Sequence, residues 1–183
     1  MKKGKYSGDM FTSKANKGEE SLDPLPSEET NQTKAIHYRD EARKAVKEGR
    51  YNDAWQFYNK QKDYYIKHAQ DMSFTKVQIQ ALDATVSEEL ANQLRLEGKD
   101  LDALFHIMYW IIGTRHRRLK RHSQKLKAYF NRCKFEYINL EEVESYIDKL
   151  GEGQLLNTEA LYKQVKTWDE YNRKRKQESS ENN

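Results

Sequence analysis

The chain has 183 residues, 36% of them hydrophobic and 34% charged, with a formal net charge of +4. That length suits one domain of ordinary size with tails, and an aromatic share of 11% excludes a wholly disordered chain. A single cysteine, Cys133, excludes an internal disulfide framework and points to a reducing, cytoplasmic setting.

Residues 1–32 read as a disordered N-terminal tail. They are rich in Lys, Ser, Glu, Gly and Asn, lack apolar periodicity and hold both prolines, Pro24 and Pro26. Residues 1–11 contain lysines but no apolar core of a signal peptide. The longest apolar run, residues 103–112, is interrupted by His106 and is too short for membrane insertion. After Pro26 no β-branched alternation appears, so residues 33–171 read as an all-α helical-repeat domain. Residues 172–183 read as a disordered polar C-terminal tail.

The first helix is expected from about Thr33 to Gly49, with Ala35, Tyr38, Ala42 and Ala45 as its buried stripe. Asn52 or Asp53 is expected to cap a second helix burying Ala54, Tyr58, Tyr65, Ala69 and Met72. Ser73 offers the cap of a third helix that is apolar on two sides and therefore lies between neighbours. A fourth helix begins at Asp100 or Asp102, and Gly113 ends or bends it. Beyond it, Ile112, Leu119, Leu126 and Cys133 recur every seven residues as the seam of a basic helix. Asn139 with Glu142 opens a sixth segment, and a last helix carries Leu161, Val165 and Trp168.

Two turns in this series match. Glu48, Gly49, Arg50, Asp53 and Ala54 return 49 residues later as Glu97, Gly98, Lys99, Asp102 and Ala103. Ala42 and Ala91 keep the same register upstream. A repeated glycine turn flanked by small residues predicts two copies of one antiparallel hairpin. The fold class is thus all-α: stacked antiparallel helical hairpins, as an array or a bundle of about six helices.

Gly49, Tyr51, Asp53, Ala54 and Tyr58, with Ala42, Ala91 and Ala103, resemble the tetratricopeptide repeat, a helical hairpin used in protein–protein binding. The spacing of 49 exceeds that family's 34, and the repeat-ending proline is missing. The resemblance implies a concave groove lined by the first helix of each hairpin. Arg39, Arg43, Asn92 and Arg95 would then face a bound protein or acidic peptide and hold its carboxylates. The alternative for these four is a solvated helix face. The open ends of the stack require covering, either by the last two helices or in a homodimer.

Charge is unevenly spread. Residues 101–135 carry nine cations and one acid, Asp102, whereas residues 136–168 carry seven acids and three lysines. Arg115, Arg117, Arg118, Lys120, Arg121 and Lys125 form a surface that can track the phosphates of DNA or RNA. The alternative is intramolecular pairing with the acidic stretch that follows. His116 and His122 extend this face and would make its charge sensitive to mild acid. No His-Glu-x-x-His pair, cysteine pair at metal spacing, phosphate-binding glycine loop or Gly-x-Ser-x-Gly elbow occurs. The reading is therefore non-catalytic, with no cofactor or metal called for. His106 reads as a core histidine bonded to a neighbour.

Overall fold

The computed structural model describes residues 29–117, 120–151 and 154–181. Among these, all regular structure is helical: α1 (Asn31–Lys47), α2 (Tyr51–Asp71), α3 (Lys76–Leu96), α4 (Asp100–Thr114), α5 (Arg121–Arg132), α6 (Leu140–Lys149) and α7 (Thr158–Glu181). A 3₁₀ turn, Arg115–Arg117, follows α4. The helices pack in antiparallel pairs, α1 with α2 and α3 with α4, joined through α2 and α3.

The matched turns have matched chemistry. Gly49 and Gly98 take φ of 73° and 72°, a left-handed conformation that costs a residue without Cβ little. Each closes its helix with the same pair of bonds. Arg50 N–H donates to the Ala45 carbonyl and Lys99 N–H to the Leu94 carbonyl, both at 2.9 Å, and each glycine N–H bonds one turn back. Arg50 pairs with Glu48 and Lys99 with Glu97, at 2.6 Å in both copies. Neither Asn52 nor Asp53 caps α2. The chain is still turning at Arg50, the N-cap residue, and Asp53 lies inside the first turn paired with Arg50.

Between α2 and α3, Ser73 is the left-handed residue (φ 56°) rather than a cap, and its turn repeats the Schellman pattern without glycine. Thr75 caps α3 instead, in a reciprocal capping box with Gln78. Met72 falls just past α2 and is exposed, against the expectation of burial. Asn139 caps α6 through the Glu142 N–H, as its spacing predicts.

The small stripe of α1 is fully buried at Ala35, Ala42 and Ala45 and meets Ala54 and Tyr58 of α2. Val86 and Leu90 of α3 join that cluster, while Ala84, Ala91 and Leu94 face the larger core around α4. That division is the two-sided burial predicted for α3. Gly113 stands one residue before the end of α4, and a Cβ there would lie under 3.0 Å from Ala84 Cβ, so it lets α3 and α4 touch. Leu161, Val165 and Trp168 of α7 and Val143 and Ile147 of α6 close the large core.

Two boundaries move. α1 begins at Asn31, two residues before Thr33, because Thr30 accepts from the Thr33 N–H. The polar tail placed from 172 is helical through Glu181. Asn172 is buried, and its Oδ1 accepts from the Glu136 and Tyr137 N–H groups at 2.8 and 3.1 Å. Ion pairs Arg173–Asp169 and Arg175–Glu178 line the next turns. Of the tail expected over residues 1–32, residues 1–28 lie outside the described residues, and Asn31 and Gln32 belong to α1. No described helix is long and apolar enough to cross a membrane.

Candidate functional site

Helix α4 is the hub. Its apolar side is core and includes Tyr109, but Asp102, Phe105 and His106 remain partly open toward Trp55 of α2 and Tyr162 of α7. A hollow of about 430 Å³ lies at the end of α4 nearest the matched turns, walled by Tyr51 and Trp55 of α2, Phe105 and Tyr162. A second, of about 550 Å³, lies further along, between Ile66 of α2, Ile79 of α3, Tyr109 and Leu155. Phe105 and His106 are walls of both. The rings pack edge to face, with Phe105 5.0 Å from His106 and 5.2 Å from Tyr162 between centroids, and Trp55 6.0 Å from His106. Trp55 and Tyr162 are 38% and 39% exposed, unusual for such large rings in a closed core.

The polar groups of the first hollow are unevenly satisfied. Gln93 is 1% exposed, and its Nε2 donates to the Tyr51 carbonyl (2.9 Å) and to Glu97 Oε1 (2.8 Å). Both partners accept only, which sets the orientation of the amide. Its Oε1 is left buried with no partner. His106 Nδ1 is likewise buried and unpartnered, contrary to the expectation of a bonded core histidine. Burial, then the nearby Lys62 charge, lowers the His106 pKa to about 4 against the pull of Asp102, so the ring is neutral at pH 7. Buried polar atoms are paired in the great majority of cases, so two orphans at one hollow are informative.

Carboxylates stand at the rim. Asp102 Oδ1 accepts from Tyr162 Oη (3.1 Å) and lies 3.5 Å from Lys166 Nζ. Burial raises the Glu97 pKa, but bonds from Lys99 and Gln93 outweigh it and hold the carboxyl below its usual range. In the second hollow, Asp83 pairs with Lys62 at 3.1 Å and accepts from Tyr109 Oη at 2.8 Å.

The residues expected to line a concave groove are placed otherwise. Arg39 pairs with its neighbour Asp40, and Arg43 crosses to Glu89 of α3 at 2.6 Å. Asn92 accepts from Tyr129 Oη (2.7 Å) and Lys125 Nζ (3.4 Å), both on α5, and Arg95 stands beside Tyr129. Neither hollow over α4 is lined by any of the four.

The basic run is broken rather than continuous. α4 stops at Thr114, whose hydroxyl donates back to the Trp110 carbonyl, a 3₁₀ turn spans Arg115–Arg117, and α5 begins at Arg121. Of the expected seam, Ile112 lies on α4 and Leu126 on α5, and Leu119 lies outside the described residues. Arg115 donates to the Ile147 and Leu150 carbonyls at 2.9 and 2.5 Å, closing the end of α6. Arg121 and Lys125 pair with Glu88 of α3 at 3.1 and 3.0 Å and lie over the Trp110 ring, and Arg132 pairs with Asp100. Among the described residues these pairs are with α3 and α4, and none of them joins an acid after residue 135. Arg117 and Lys120 are exposed without an ion pair among the described residues, and Arg118 lies outside them. His122 packs on Trp110, and burial, then the Arg121 charge, lowers its pKa against the pull of Glu88, so it takes up charge at lower pH than a free imidazole.

The first hollow over α4 is not legible in the sequence because its walls come from four helices, with Tyr51 and Tyr162 near opposite ends of the helical domain. One signal was present: Trp55, Phe105 and Tyr162 fall beside, not on, the apolar stripes of their helices. Burial pushes the Cys133 thiol up to about 12, which removes it as a nucleophile at neutral pH. The chain matches no family model, no curated protein and no solved structure.

Proposed function

We propose that this chain is a non-catalytic, protein- or peptide-binding module of tetratricopeptide-like helical hairpins, and that its ligand is a peptide lying along α4. The observation that carries the reading is the pair of unpartnered buried atoms, Gln93 Oε1 and His106 Nδ1, at an aromatic hollow. Peptide backbone and side chains supply the donors and acceptors such atoms lack, and aromatic walls suit a peptide's apolar surface. The repeated hairpin turns add the resemblance to a binding family. The alternative, phosphate binding through residues 115–134, has less support, because Arg115, Arg121, Lys125 and Arg132 are already engaged within the chain.

The test is to pan a random-peptide display library on the immobilised protein and on Trp55→Ala. Trp55 is partly exposed, so its removal spares the core. Peptides enriched on the parent and lost on the variant support the reading. No enrichment, or enrichment indifferent to Trp55, refutes it.

A further inference from the structure

Four aromatic residues, two rim carboxylates and a bare amide oxygen share the first hollow, and together they select a kind of side chain. We propose that this hollow receives an arginine side chain of the bound peptide, a proposal that rests on the peptide-binding reading above. Ring faces attract cations, and guanidinium stacks on them with little loss of hydration. Glu97 and Asp102 give the charge complement.

A cation already stands beside two of the hollow's residues, Tyr162 and Asp102. Lys166 Nζ lies 5.0 Å from the Tyr162 ring centre and 3.5 Å from Asp102. The Lys166 and Lys99 side chains are 38% and 55% exposed, so these pairs are weak and open to exchange. A guanidinium entering from the peptide replaces a solvated ammonium with a flat group that reaches deeper.

The ring faces favour a flat guanidinium over a lysine ammonium, and Gln93 selects an occupant that carries N–H donors. Its amide is locked by two acceptors, so Oε1 waits for a donor. Guanidinium carries five N–H donors in one plane, whereas an apolar or quaternary ammonium side chain carries none. A peptide carboxylate is disfavoured, since it would meet Gln93 Oε1, Glu97 and Asp102, and Lys99 in the lining is already paired with Glu97. His106 stays neutral at pH 7 and does not repel the incoming charge.

The experiment takes the peptides enriched by panning and measures their affinity by calorimetry, as selected and with each arginine replaced by citrulline. Citrulline keeps the shape and loses the charge. One arginine is expected to be common to the set, and its replacement to weaken binding at least tenfold. Asp102→Asn is expected to weaken the arginine peptide about tenfold while leaving the citrulline peptide unchanged. Lys166→Met, which removes the resident ammonium, is expected to tighten the arginine peptide. Peptides captured through Trp55 that lack arginine, or that bind equally well with citrulline, overturn the proposal and leave the peptide-binding reading standing. Absence of any captured peptide overturns both.

Discussion

Acidification from pH 7 to pH 5 is expected to destabilise the protein through His106 by about 2 kcal/mol. The imidazole titrates near 6.5 when solvated, and burial lowers this to about 4 in the folded chain. Between those values the unfolded chain binds a proton that the folded chain does not, so stability rises with pH. The contribution is fully present above 6.5 and is lost as pH falls toward 4. The shift of about 2.5 units corresponds to about 3 kcal/mol in all, and about 2 kcal/mol of it is lost by pH 5. Other groups also respond: Asp40 and Glu97 titrate below their usual range and lose stability in the same direction. The measurement is therefore a difference, taken from urea unfolding of the parent and of His106→Phe at both pH values. Phenylalanine fills the ring's place and forfeits no Nδ1 hydrogen bond, since there is none. The parent should lose about 2 kcal/mol more than the variant between pH 7 and 5. Equal losses would refute the claim that a buried, neutral His106 underlies the effect.

Two further perturbations probe how the helices pack on one another. Gly113→Ala is expected to destabilise by about 1–2 kcal/mol despite its better helix propensity, because the added methyl meets Ala84. Combining it with Ala84→Gly should recover much of the clash, read as a favourable coupling in a double-mutant cycle. Asn172→Ala removes the acceptor for the Glu136 and Tyr137 N–H groups and is expected to cost about 2 kcal/mol. Faster amide exchange at Glu136 and Tyr137, with Asn172→Asp largely spared, would confirm that the acceptor is what matters.

Helix order, the all-α class and the turns were legible in the sequence because each depends on residues close along the chain. A left-handed glycine, a capping asparagine and a 3.6-residue stripe are local facts, and Gly49, Gly98, Asn139 and the Ala35–Ala42–Ala45 row appear where their spacing put them. Even here neighbours competed: Ser73 took the left-handed turn and left the cap to Thr75, a choice decided by where α2 ran out.

The charges were legible only as a list. Opposite charges pair with whatever packing brings near, so Glu88, well upstream, neutralises Arg121 and Lys125, while the acids next in sequence do not. The end of α7 escaped for the same reason. A polar segment is helical or loose according to its contacts, and Asn172 finds its contacts in the loop before α6. Composition and periodicity by themselves determined that this chain is a set of amphipathic helical hairpins. Tertiary packing alone decided that Trp55, Gln93, His106 and Tyr162 share one hollow, because convergence in space is set by how helices cross and not by their order.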